Sequence, residues 1–257
     1  MIDFTRKERY TFEDFVEVVR LLRSPDGCPW DRVQTHESIR RNFLEETYEC
    51  CEAIDNDDLE LMKEELGDVM MQVIFHAGIE ADRGRFDLTD VCDNAVKKLV
   101  FRHPNVFGPK TSQTWDDMKA LEKGQKTHAA TLDAVSRSLP ALWRAEKLVK
   151  KAQKAGFAWP GPEGALGKLD EEVAELREAV RDGSNIGEEL GDVLFAVCCT
   201  AAMTEQDPEM VLHSACEKFI RRFAAMEQAA GAQGRSLEEC EPEEQLSLWK
   251  MAKSGEA

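Results

Sequence analysis

Positive charge is scarce in this chain: 33 lysines and arginines stand against 50 aspartates and glutamates, a net charge of −17 over 257 residues. Polyanions bind through lysine and arginine that neutralise phosphates, so a nucleic-acid polymer or an anionic membrane is a poor partner. A small phosphorylated ligand stays open, because a metal ion and a few local cations hold it against the global field. Long apolar runs are also missing. The longest, residues 193–203, is too short to span a bilayer, and the N-terminal MIDFTRKERY lacks the apolar segment of a signal peptide. Among eight cysteines there is no CxxC pair and no Cys/His group at zinc spacing. They read as reduced, half-buried helix residues, and the expected location is cytoplasmic. No Ser/His/Asp arrangement marks a covalent nucleophile.

Helical spacing is what remains. Leu169, Val173, Leu176 and Val180 recur at i, i+4, i+7 and i+11, one apolar stripe. Thr11 with Asp14, Asp87 before Leu88, Asp207 before Pro208, and Ser236 with Glu239 read as helix N-caps. With no sustained strand alternation, the fold class is predicted to be all-α.

The six letters EELGDV occur at residues 64–69 and again at 188–193. The copies sit in one longer repeat. Trp30, LEETYE, EELGDV, KKLVFR, Trp115 and Lys119 in the first half are followed in the same order by Trp159, DEEVAE, EELGDV, KFIRR, Trp249 and Lys253. Two copies of this length read as a duplicated helical domain, residues 1–127 and 128–257, with the join in the polar stretch 124–138.

Each half holds EExxE followed by ExxD: Glu45, Glu46, Glu49, Glu65 and Asp68, then Glu171, Glu172, Glu175, Glu189 and Asp192. Spacings of three and four put the acids on one helical face, where like charges destabilise a bare helix. A Glu-rich helix is ordinarily a solvated face. Here, however, Glu172 lies about 60° from Leu169 on a helical wheel, at the border of the apolar stripe. Two such helices side by side gather four carboxylates around one cation. With Asp rather than His at the i+3 position, the ligands are all hard oxygens, which suits Mg²⁺ or Mn²⁺.

Magnesium shares its coordination with substrate phosphates, so cations should lie nearby. Lys168 is one turn before Glu172, Lys218 and Arg222 are one turn apart, and Lys253 follows Trp249 by one turn. Lys98, Arg102, Trp115 and Lys119 repeat the pattern. Lys168 has no match, because Asn42 holds its place in the first half. Trp249 is suited to stacking on a base as well as to a core position.

With CPWD at residues 28–31, QTH at 34–36 and RHPNVFG at 102–108, these acidic motifs resemble the MazG family of nucleoside triphosphate pyrophosphohydrolases. The resemblance implies an all-α fold, a homodimer, and Mg²⁺-dependent cleavage of (d)NTPs between the α and β phosphates. It implies that Glu172, Glu175, Glu189 and Asp192 bind the metal, that Lys168, Lys218, Arg222 and Lys253 hold phosphates, and that Trp249 contacts the nucleotide. The first-half set is Glu46, Glu49, Glu65 and Asp68, with Lys98, Arg102, Trp115 and Lys119. Glu171 would take the proton of the attacking water and Glu172 would serve catalysis directly. His36 is open between packing, capping and chemistry. A non-catalytic nucleotide-binding regulator is the alternative function.

A helix-interior glycine costs about 0.5–1 kcal/mol relative to alanine. Gly67 and Gly191 point about 100° away from the neighbouring Asp, so close approach of another helix is the expected reason for them.

Overall fold

The computed structural model describes residues 2, 4–124 and 127–255, and it contains no strand among them. The first seven helices are α1 (Phe12–Arg23), α2 (Pro29–Val33), α3 (His36–Asp55), α4 (Leu59–Asp82), α5 (Leu88–Arg102), α6 (Pro104–Phe107) and α7 (Trp115–Glu122). The rest are α8 (His128–Asp133), α9 (Ala141–Lys154), α10 (Gly161–Asp182), α11 (Ile186–Met203), α12 (Pro208–Ala232) and α13 (Pro242–Ser254). The chain divides into two compact units, Met1–Met118 and Lys119–Ala257. The sequence-based join at 127/128 adjoins residues 125–126, which lie outside the described residues.

Local chemistry explains most helix starts. Thr11 and Asp14 form a reciprocal capping box on α1, Asp87 and Asp90 do so on α5, and the Asp207 carboxylate accepts from the Glu209 and Met210 amides. Ser236 differs from expectation. Its capping box with Glu239 opens only a 3₁₀ turn, Leu237–Glu239, because Pro242 restarts the chain as α13.

In the first unit α3 and α4 form an antiparallel hairpin, and α1 lies along α4. Val19, Ile39, Ile74, Phe75 and Ile79 make the core between them. In the second unit α10 and α11 form the corresponding hairpin, with α9 against α11 and α13 against α12. Gly183, at φ +69°, ends α10 in the left-handed conformation that glycine adopts without strain. One core there is Val149, Cys199 and Ala202 under Trp159; another is Met226, Ala230, Cys240 and Leu248 under Trp249.

Two expectations need correction. The stripe on α10 does not run buried to its end, since Val180 is exposed; the buried line is Ala165, Glu172 and Ala179. These three lie seven residues apart on the helix that pairs with α11. The cysteines are all free thiols but are not uniformly half-buried: Cys50, Cys198, Cys199 and Cys240 are buried, while Cys51, Cys92 and Cys216 are exposed. Among the described residues no helix is long and apolar enough to cross a membrane.

Candidate functional site

The hairpins bring the acids together in each unit. Glu46, Glu49 and Glu65 each offer one carboxylate oxygen, and these atoms lie within 4.8 Å of one another. Glu172, Glu189 and Asp192 do the same in the second unit. Asp68 and Glu175 stand just outside these triads but are felt by them. Burial, then Asp68, Glu49 and Glu65, push the Glu46 carboxyl above its ordinary value. Burial, then Glu49 and Asp68, raise Glu65, and burial, then Glu175 and Asp192, raise Glu189.

Each cluster has a deeply set member. Glu65 is 8 % exposed and its Oε2 is buried without a hydrogen-bond partner; Glu172 is 7 % exposed. A buried carboxylate beside other carboxylates is tolerated where a cation compensates it. The donors are oxygen only, so both triads fit a hard divalent ion.

The units differ in what already compensates the charge. Lys168 Nζ donates to Glu172 Oε1 at 2.6 Å and to Glu171 Oε1 at 2.9 Å. Those two bonds, Glu172 first, hold the lysine charged well above its usual range. Glu171 itself is exposed. In the first unit Asn42 stands in the place of Lys168, and among the described residues no ion pair falls on Glu46, Glu49 or Glu65.

The repeated Arg and Trp also meet in both units. The Arg102 guanidinium lies 5.1 Å from the centroid of Trp115, and Arg222 lies 5.8 Å from that of Trp249. Phe219, one residue after Lys218, approaches Trp249 at 5.3 Å and is itself exposed, an aromatic neighbour that the sequence reading did not single out. Arg102 is buried, Arg222, Lys98 and Lys119 are half-buried, and Lys218 and Lys253 are exposed. The aligned tryptophans part company: Trp30 is exposed, whereas Trp159 packs on Cys199 and Ala202.

His36 turns out to be neither cap nor lone packing residue. Thr35 caps α3, and His36 begins it. Its Nδ1 is 2.7 Å from His76 Nδ1, and its Nε2 is 2.6 Å from Glu80 Oε1. Glu80, almost fully buried, also accepts from Arg83 and Arg85. His76 and Glu80 are four apart on α4, the one signal by which the sequence could have shown this cluster. Aligned through EELGDV, the second unit has Thr200 and Thr204 at these positions.

The expected close approach at the two glycines is absent among the described residues. A Cβ added at Gly67 or Gly191 meets nothing within 4 Å. Beside Gly191, α11 carries an open apolar stripe: Ile186, Leu190, Leu194 and Val197 are each more than 40 % exposed. Leu66 and Met70 repeat it on α4.

The profile of the MazG nucleotide pyrophosphohydrolase domain matches residues 34–107 and 161–225. A Thermotoga maritima protein, nucleoside triphosphate pyrophosphohydrolase/pyrophosphatase MazG, is 42% identical over 248 residues, 95% of this chain and 96% of its own length. The nucleoside triphosphate pyrophosphohydrolase of Escherichia coli K12 is 37% identical over 251 residues, 93% of this chain and 95% of its own. The uncharacterized protein YabN of Bacillus subtilis is 40% identical over 257 residues, which are 96% of this chain and 52% of YabN.

Proposed function

This chain belongs to the MazG nucleotide pyrophosphohydrolase family and is a nucleoside triphosphate pyrophosphohydrolase, and we propose that its second half performs the hydrolysis with Mg²⁺, Mn²⁺ serving in its place. The substrates are (d)NTPs and the products (d)NMP and pyrophosphate. The observation that carries the assignment to the second half is a triad of carboxylates with a lysine already on its buried member. Among the described residues, an ion pair joins a lysine to a carboxylate triad there.

Glu172, Glu189 and Asp192 hold the ion, with Glu175 completing the set. Held by these residues, a divalent ion would supply neutralisation of triphosphate charge and a lowered pKa for the attacking water. Glu171 accepts the proton of that water. Lys168, Lys218, Arg222 and Lys253 bind the phosphates and balance charge on the departing pyrophosphate. Trp249 contacts the nucleotide. Direct attack by water is favoured, since burial pushes the thiols of Cys198 and Cys199 up to about 11 and leaves them poor nucleophiles. Glu46, Glu49, Glu65 and Asp68, with Arg102, Trp115 and Lys119, form a second centre of weaker turnover. Halves bounded at 1–127 and 128–257 keep Lys119 with that centre.

A second copy of the chain is assigned to the open apolar stripes on α4 and α11. Leu66, Met70, Ile186, Leu190, Leu194 and Val197 are all exposed in the chain by itself, and apolar surface of this kind favours burial against a partner. Burying Leu190 and Leu194 against a partner takes those apolar side chains out of water. The net charge of −17 argues against a nucleic-acid polymer as partner. Eight free cysteines suit a reducing cytoplasm.

The test is pyrophosphate release from a panel of NTPs and dNTPs with Mg²⁺, comparing Glu172→Gln with Glu46→Gln. Loss of turnover in Glu172→Gln alone supports the second half as the catalytic one. Loss in Glu46→Gln alone overturns it, and saturable binding without turnover in the wild type restores the regulator reading.

A further inference from the structure

We propose that Lys168 is a resident counter-cation that keeps the second carboxylate centre closed to metal until a triphosphate draws its ammonium away, whereas the first centre, lacking such a lysine, takes metal without nucleotide. The inference rests on reading both triads as metal centres and adds an order of loading to them.

Both triads have the same geometry, three carboxylate oxygens within 4.8 Å, yet opposite states of compensation. In the second unit the ammonium of Lys168 sits 2.6 Å from an oxygen of Glu172, the most buried ligand, and its side chain is 32% exposed against 9% for that of Glu172. A divalent ion bound to Glu172 is held at about 2.0–2.1 Å, so it would lie within a few ångströms of Nζ. Two cations at that range repel in a partly buried site. The lysine must therefore leave for the ion to enter with full affinity. Glu171, the second acceptor at 2.9 Å, is exposed and holds the ammonium only on the solvent side.

A triphosphate offers what the lysine needs in order to leave. Its oxygens are stronger acceptors than one shared carboxylate, and Lys168 reaches them by rotating a flexible four-carbon stem. Nucleotide and metal thus bind with positive coupling in the second half. In the first half Asn42 is neutral, and Glu65 Oε2 is buried with no partner at all. An unpaired buried carboxylate is the costliest kind of polar group to leave uncompensated. Among the described residues no ammonium is paired with Glu46, Glu49 or Glu65 to compete with the ion.

Mn²⁺ binding to the full chain, followed by electron paramagnetic resonance and calorimetry, tests this without turnover. Titrations are made alone and with an α,β-methylene triphosphate analogue, on wild type, Lys168→Met and Asn42→Lys, with Glu65→Gln and Glu189→Gln to assign each site. The expected result is one tight site in wild type, removed by Glu65→Gln, and a second that tightens about tenfold when the analogue is added. Lys168→Met should tighten that second site by a similar factor without analogue. Asn42→Lys should weaken the first site and make it respond to the analogue. Equal affinities at the two sites, unmoved by Lys168→Met, would overturn the closing role alone and leave the metal centres standing. Absence of Mn²⁺ binding with or without analogue would overturn the metal reading and this inference together.

Discussion

His36 and His76 stack with ring centroids 5.0 Å apart and planes inclined by 10°, at the end of the α3–α4 hairpin away from its turn. Burial, then His36, hold His76 below its usual value of 6.5, and the His36 hydrogen bond, with Arg85 and Arg83, holds Glu80 below its usual 4.5. In the window just below pH 6.5 the unfolded chain therefore binds more protons than the folded one, and stability falls as the pH falls. Below 4.5 Glu80 adds a loss of the same sign. The first-half unfolding transition is expected at a lower temperature at pH 5.5 than at 7.5, and His76→Asn should flatten that difference. Parallel profiles for variant and wild type would remove the pair as its cause.

The carboxylate triads have the opposite sign. Glu46, Glu65 and Glu189 are raised from 4.5, chiefly by burial and then by neighbouring acids. The folded chain keeps protons there above the range in which the unfolded chain loses them, so these groups weaken the fold at neutral pH and relent on acidification through the raised values. An entering metal must displace those protons. The rise in melting temperature on adding Mg²⁺ is expected to be smaller at pH 5.5 than at pH 8, and an increment independent of pH would count against metal at these acids.

The two Arg–Trp pairs should divide the labour between the halves. Loss of one charge-assisted phosphate contact costs about 1.5–3 kcal/mol, so Arg222→Gln is expected to lower kcat/KM by roughly 10- to 150-fold. Arg102, buried over Trp115, belongs to the half assigned weaker turnover. Arg102→Gln should lower first-half stability and change kcat/KM by less than about threefold. Reversed effects would move the main centre to the first half.

Gly191 faces open space within the chain, so Gly191→Ala should improve the helix by about 0.5–1 kcal/mol with unchanged Mn²⁺ affinity. Gly191→Leu places bulk at the edge of the stripe assigned to a second copy. It is expected to shift sedimentation toward monomer, and an unchanged dimer would take that stripe out of the interface.

Thiol labelling of the native chain is expected to modify Cys51, Cys92 and Cys216 while sparing Cys198 and Cys199, whose thiols burial pushes up to about 11. Rapid loss of the buried pair to maleimide would mean that α11 opens far more readily than its packing implies.

Much of this was legible in the residue order because it is local. A cap and its amide, or two acids one turn apart, are set by helical geometry, so Thr11 and Asp87 fell where spacing put them, and Glu189 and Asp192 share a cluster while Asp68 stands outside the one that holds Glu65. Lys168 was visible one turn before Glu172, but the sequence aimed it at phosphate, whereas the chain alone places it on the carboxylate. The His36–His76 contact joins residues 40 apart, and no periodicity encodes the register of one helix on another. Gly191 misled for a related reason: a glycine reports that something comes close or that nothing need be there, and the letters do not say which.

The clasp of His36, His76 and Glu80 gives the first hairpin a mechanical character that the second does not share. The first is a beam supported at both ends, by its turn at one and by charged hydrogen bonds at the other, with the acidic centre in mid-span. The second is fixed at its turn, while its far end rests on Trp159 against Cys199 and Ala202, apolar contacts that slide at little cost. On the metal reading proposed above, Glu46, Glu49 and Glu65 form the more firmly braced of the two carboxylate triads.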